Sequence, residues 1–184
     1  MDVERLDIDG LLVMTPKRVG DDRGWFSEVF RADLFRAAAG DIDFVQHNQS
    51  LSRPAGTVRG LHFQVPPRVQ GKLVRCLRGR IFDVAVDLRQ SSPSFGRHAA
   101  VELSAENGRQ LWIPSGFAHG FATLEADCEI GYLVTDYYSP AQDRGLAWND
   151  PALAIAWPVE VATATLSDKD RRLPLLADLG DVFE

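Results

Sequence analysis

Apolar and polar residues alternate along most of the chain, in runs too short for helices. The clearest are Lys72-Leu73-Val74-Arg75-Cys76-Leu77 and Ile81-Phe82-Asp83-Val84-Ala85-Val86-Asp87, with Arg78-Gly79-Arg80 between them. The pattern predicts a β-hairpin over 71–89. Comparable segments lie at 44–51, 58–64, 98–103, 110–113, 116–124 and 129–135. Turn residues separate them, as in Arg53-Pro54-Ala55-Gly56, Pro66-Pro67, Ser91-Ser92-Pro93 and Glu106-Asn107-Gly108. Many short strands at this spacing predict a sandwich, jelly roll or small barrel. The exception is 32–39, an Ala-rich stretch closed by Gly40, which predicts one helix with glycine just past its end. From Asp150 onward Pro and Ala become more frequent, predicting loops and short helical turns that wrap the barrel.

Composition narrows the class. At 184 residues, with no linker, repeat or low-complexity tract, the expectation is a single domain over 1–184. Lys and Arg number 20 against 26 Asp and Glu, a net charge of −6, which argues against a nucleic-acid binder. Cys76 and Cys128 are far apart and outside any CxxC pattern, so neither a disulfide framework nor a zinc knuckle is predicted and a reducing cytoplasm is the expected compartment. The acidic opening Met1-Asp2-Val3-Glu4-Arg5 lacks the layout of a signal peptide. No apolar run approaches the roughly 20 residues that cross a bilayer, so no membrane partner is expected.

Four places interrupt the apolar strands with reactive side chains. Within Val58-Arg59-Gly60-Leu61-His62-Phe63-Gln64, strict alternation puts Val58, Gly60, His62 and Gln64 on one face. Arg59 then falls on the other face unless a bulge at Gly60 re-aims it. His62 and Gln64 inside a barrel would make a wet pocket; the competing reading is a hydrogen-bonded structural histidine. His119 sits among small residues in Phe117-Ala118-His119-Gly120-Phe121, where a ligand could approach closely. Tyr132, in Ile130-Gly131-Tyr132-Leu133, and the triplet Asp168-Lys169-Asp170 read alone as packing and as a solvated loop. A metal-binding strand in a small β-barrel needs two alternating histidines and a carboxylate. Phe63-Gln64 follows His62, and the other histidines are only His47, His98 and His119, so no metal site is predicted.

Taken in order, several segments together resemble the dTDP-4-dehydrorhamnose 3,5-epimerase family. They include Asp22-Arg23-Gly24-Trp25-Phe26-Ser27-Glu28, Gln46-His47-Asn48-Gln49-Ser50, Gly56 through Gln64, and Gln70-Gly71-Lys72-Leu73-Val74. The likeness continues through Phe82 to Arg89, Ser92-Pro93-Ser94-Phe95-Gly96, Ile113 to Phe121, Tyr137-Tyr138-Ser139-Pro140, Trp148-Asn149-Asp150-Pro151 and Leu166 to Asp170. The resemblance implies an all-β, cupin-type jelly-roll barrel with a few short helices. It further implies an isomerase that works without metal or other cofactor, as a homodimer exchanging N-terminal strands. The implied reaction converts dTDP-4-dehydro-6-deoxy-D-glucose to dTDP-4-dehydro-L-rhamnose in deoxysugar biosynthesis.

By the same resemblance His62 is the base, Asp170 its orienting carboxylate, Tyr132 the acid on the opposite face, and Lys72 the charge that meets the C4 oxyanion. Arg23, Arg59, His119 and Lys169 match positions around sugar and phosphates, and Gln46 and Asn48 match polar contacts. Glu28 and Asp143 match further substrate contacts, with Glu28 serving the neighbouring subunit and Asp143 standing where many relatives carry Glu. Phe26 is the candidate for stacking on thymine. Two alternatives stay open: an epimerase acting at carbon 3 or carbon 5 alone, and a non-catalytic sugar-nucleotide binding module. A metal-dependent cupin enzyme is a third class.

Overall fold

The computed structural model describes residues 1–183, and most of their regular structure is strand. Four short strands come first, β1 (Asp2–Arg5), β2 (Leu12–Thr15), β3 (Arg18–Asp21) and β4 (Gly24–Ser27), followed by α1 (Ala32–Ala39). Next come β5 (Gln46–Ser52), β6 (Val58–Gln64), β7 (Lys72–Arg78), β8 (Arg80–Asp87) and β9 (His98–Ser104). Then follow β10 (Gln110–Ile113), β11 (Phe117–Thr123), β12 (Cys128–Val134) and β13 (Asp143–Gly145). The rest is turns with two short 3₁₀ segments, Asp170–Arg172 and Leu176–Asp178, as the Pro and Ala content beyond Asp150 predicts.

Two antiparallel sheets face each other, one ordered β1-β2-β10-β7-β12-β5 and the other β13-β6-β11-β8-β9. Val13, Val74, Ile81, Leu103, Leu111, Phe121 and Ile130 fill the space between them. This is the jelly roll that the resemblance implies. The hairpin expected over 71–89 is not formed. β7 lies between β10 and β12 in one sheet, while β8 lies between β11 and β9 in the other. Alternation reports which face of a strand is buried, not which strand is its neighbour. The chain turns the corner between sheets at Gly79, whose φ is +77° and where a Cβ would lie 2.6 Å from Cys128 Sγ.

Each sheet also has a covered outer face. α1 has no side-chain N-cap, and Gly40 at φ +100° ends it with its N–H on the Arg36 carbonyl. Its stability therefore comes from packing: Phe35 is buried against Leu12, Met14, Leu73 and Trp112 of the six-stranded sheet. On the other side Leu153, Trp157, Leu176 and Phe183 of the C-terminal segment cover Leu61, Phe63, Val84 and Leu88. Between Trp157 and Leu176 the segment passes beside the start of β6, where Thr165 bridges Thr57, and brings Asp170 to His62. The β3–β4 hairpin pairs only with itself and leaves Val19, Trp25 and Phe26 56–73% exposed.

Candidate active site

The site is aimed by a register fault. Across β6 and β11, His62 opposes His119 but Arg59 opposes Phe121, so Gly60 and Leu61 together face the single residue Gly120. One extra residue reverses the parity of a strand. Arg59 and His62 both line the interior cavity, whereas Leu61 and Phe63 pack into the outer core. The bulge requires glycine: Gly60 has φ +120°, and a Cβ there would stand 2.6 Å from the Gly120 Cα. The condition attached to Arg59 in the sequence is therefore met.

The cavity has two adjoining lobes of about 680 and 340 Å³, and His62, Lys72, Tyr132 and Lys169 line both. His62 Nε2 lies 2.6 Å from Asp170 Oδ1, with the imidazole partly exposed to the cavity and the carboxylate buried. Burial works to raise the Asp170 pKa, but the His62 hydrogen bond and charge, with the Ser167 hydroxyl and the Gly60 N–H, hold it below the usual carboxylate range. An ionised carboxylate only accepts, so Nε2 donates and Nδ1 is the ring nitrogen left to exchange a proton with a substrate. The Asp170 N–H in turn donates to Ser167 Oγ at 3.1 Å.

Lys72 donates from Nζ to the His62 carbonyl at 3.2 Å. Burial pulls its pKa down to about 8 against the pull of Asp83 and Asp143. His119 Nε2 is 2.8 Å from Asp83 Oδ1, and both side chains are buried. Burial keeps the His119 pKa below its ordinary value although Asp83 opposes this, so the ring is neutral at pH 7. Burial also pushes the Tyr132 phenol up, with Arg59 opposing, so the hydroxyl keeps its proton at that pH. Arg59 Nε donates to Ser52 Oγ at 3.0 Å and its Nη2 to the Leu51 carbonyl at 3.1 Å, which fixes the guanidinium at the rim of the larger lobe.

The smaller lobe holds the polar group. Gln46 Nε2 donates to Asn48 Oδ1 at 2.8 Å. Asp143 Oδ2 accepts from Lys169 Nζ at 2.5 Å and from the Tyr138 hydroxyl at 3.1 Å. Ten of the sequence-selected residues thus meet around one space: His62, Tyr132, Asp170, Lys72, Arg59, His119, Gln46, Asn48, Asp143 and Lys169. Arg23, Phe26 and Glu28 do not. Arg23 pairs with Asp21 at 2.5 Å on the projecting hairpin, Phe26 is exposed there, and Glu28 lies 3.7 Å from Arg31. Asp83, Ser167 and Tyr138 join the site without having been singled out. Of these Asp83 carried a signal, an acid on the inward-facing register of an apolar strand. Among the described residues no group of three or more His, Cys, Asp or Glu comes together as a metal site would.

Comparison with known proteins agrees with this geometry. The family model described as dTDP-4-dehydrorhamnose 3,5-epimerase matches residues 5–178. A dTDP-4-dehydrorhamnose 3,5-epimerase of Sinorhizobium fredii is 54% identical over 181 residues, covering 98% of this chain and 92% of that protein. The crystal structure of a dTDP-6-deoxy-D-glucose-3,5-epimerase from Legionella pneumophila, in complex with dTDP-4-keto-L-rhamnose, superposes with a TM-score of 0.92 at 45% identity, covering 97% and 94% of the two chains. A 3'-monoepimerase from Streptomyces bikiniensis, in complex with dTDP-quinovose, superposes at 0.86 with 38% identity, covering 94% of this chain and 86% of that one. The jelly roll, the cavity and these matches lead to one assignment: the chain belongs to the dTDP-4-dehydrorhamnose 3,5-epimerase family.

Proposed function

We propose that this chain is the isomerase that inverts carbons 3 and 5 of dTDP-4-dehydro-6-deoxy-D-glucose, giving dTDP-4-dehydro-L-rhamnose for deoxysugar biosynthesis. The observation that carries the reading is the His62–Asp170 pair at 2.6 Å, set beside the half-buried Lys72 in a cavity shared with Tyr132. Carbons 3 and 5 flank the C4 ketone, so loss of either hydrogen gives an enolate. His62 takes the proton on Nδ1, and Asp170 stabilises the imidazolium that forms. The Lys72 ammonium meets the negative charge that grows on the C4 oxygen. Tyr132, protonated at neutral pH, returns a proton to the opposite face of the ring.

Arg59 and Lys169 offer cationic donors to the diphosphate, with Gln46, Asn48, His119 and Asp143 around the sugar and nucleotide. Arg23, Phe26 and Glu28 would reach a site only in another subunit, which supports a homodimer that exchanges N-terminal strands. The exposed Val19, Trp25 and Phe26 of the hairpin favour the same reading. A cytoplasmic setting suits the two free, buried thiols, Cys76 and Cys128. No helix among the described residues is long and apolar enough to cross a membrane.

The test is incubation of the substrate with the protein in deuterium oxide, with label located by NMR. Deuterium at carbons 3 and 5 is the expected result. Label at one carbon would make the chain a single-position epimerase, and binding without label would make it a binding module. His62→Ala should lower exchange by about 10²–10⁴-fold, the usual worth of a positioned base.

A further inference from the structure

Asp83 sits on the inward face of β8, between Ile81 and Ala85, which belong to the apolar core. Its side chain has no exposed surface. Oδ1 accepts the hydrogen bond from His119 Nε2, while Oδ2 has no partner among the described residues. A carboxylate so buried is costly unless a positive charge stands nearby.

Lys72 supplies that charge from the facing sheet. Its ammonium has three protons and gives one to the carbonyl of His62, the residue directly opposite His119. Lys72, His119 and Asp83, carried by β7, β11 and β8, are thus linked through the His62–His119 register pair. Asp83 is the strongest attractive charge acting on Lys72; Asp143 adds a weaker attraction and Lys169 opposes it. His119 is neutral there, and Arg53, Arg59, Tyr132, His62 and Asp170 are the remaining ionisable groups lining the larger lobe.

We propose that Asp83 is a positioning residue that keeps Lys72 in its ammonium form at working pH, with the neutral His119 ring orienting the carboxylate. The proposal rests on the role given to Lys72 above. A desolvated lysine tends to lose its proton, and a neutral amine is a weak partner for an enolate oxygen. The same negative charge also offsets part of the field Lys72 presents to the enolate. Asp83 thus extends activity toward high pH and gives up some rate at low pH.

Asp83→Asn separates the two functions, because an amide oxygen still accepts from His119 while the charge is gone. The chain has three lysines, Lys17, Lys72 and Lys169, so ¹³C-lysine labelling gives three Cε resonances to follow against pH. Lys72 should titrate near 8 in the unchanged protein. In Asp83→Asn it should titrate about one unit lower or more. The rate of the variant relative to the unchanged protein should fall about tenfold between pH 6 and pH 8.5, as expected for a shift of one unit. An unmoved Lys72 titration overturns the proposal at any level of activity. A moved titration with an unmoved rate profile supports the charge coupling and overturns the assignment of Lys72 to the enolate oxygen. Should the variant not fold, ¹³C-carboxyl aspartate labelling of the unchanged protein serves instead. The Asp83 carboxyl resonance should step at the pH where Lys72 titrates, and the lack of that step overturns the proposal.

Discussion

Gly60 and Gly120 touch back to back, and the face on which Arg59 lies depends on that contact. A methyl at residue 60 would meet the Gly120 Cα at 2.6 Å and the His119 carbonyl at 2.8 Å, on a backbone already at φ +120°. No flexible side chain can move aside to relieve it. Gly60→Ala is expected to destabilise the protein by about 1–3 kcal/mol from the backbone conformation alone. The clash adds to that, and loss of the bulge swings Arg59 away from His62. A lowered melting temperature together with lost turnover is the expected outcome; normal values for both would show that the strand can shift its register freely. At this scale the local pattern offered His62, His119 and Tyr132 but gave no reason to join His62 to Asp170. Their 108-residue separation carries no periodic signal, and only the whole-chain resemblance connected them.

Strand boundaries were the most readable level, because burial on one face imposes its own period. Segments 58–64 and 110–113 coincide with β6 and β10, and 32–39 with α1. β1 to β4 and β13 were missed: each has three or four residues, and β3 and β4 are too exposed to alternate. The corner after β8 shows what such a pattern omits. Fully buried Asp87 accepts from Arg89, Ser92 and Ser94, at 2.7–2.9 Å from their side chains. Burial opposes ionisation, yet these donors bring its pKa down to about 2. A lowered carboxylate pKa stabilises the fold above the unfolded value near 3.8 and ceases to as pH falls toward 2. Asp87 therefore contributes on the order of 2 kcal/mol at neutral pH that is lost across that window. Urea unfolding at pH 6 and pH 2.5 should show a smaller difference in Asp87→Asn than in the unchanged protein.

For the whole molecule, the ten residues that meet around the cavity come from both sheets and the C-terminal segment, whereas Arg23 and Phe26 stand on a hairpin that pairs with neither sheet and Glu28 directly follows it. If that hairpin completes a neighbour's site, its apolar side chains hold the dimer and its polar ones serve the neighbour's substrate. Replacing Trp25 and Phe26 together by Ser should shift the protein toward monomer in sedimentation velocity and raise KM. A double variant that stays dimeric with unchanged KM would remove the hairpin from both roles.

The C-terminal segment carries a consequence for synthesis. While residues beyond 160 are still inside the ribosome, both sheets can pair, because every strand through β13 has already been made. Such a nascent chain would hold His62 with no carboxylate against it. Catalytic competence thus waits until Asp170 has been made, and a chain cut short before that residue would carry an unpaired His62 and a sheet stripped of the cover of Leu176 and Phe183.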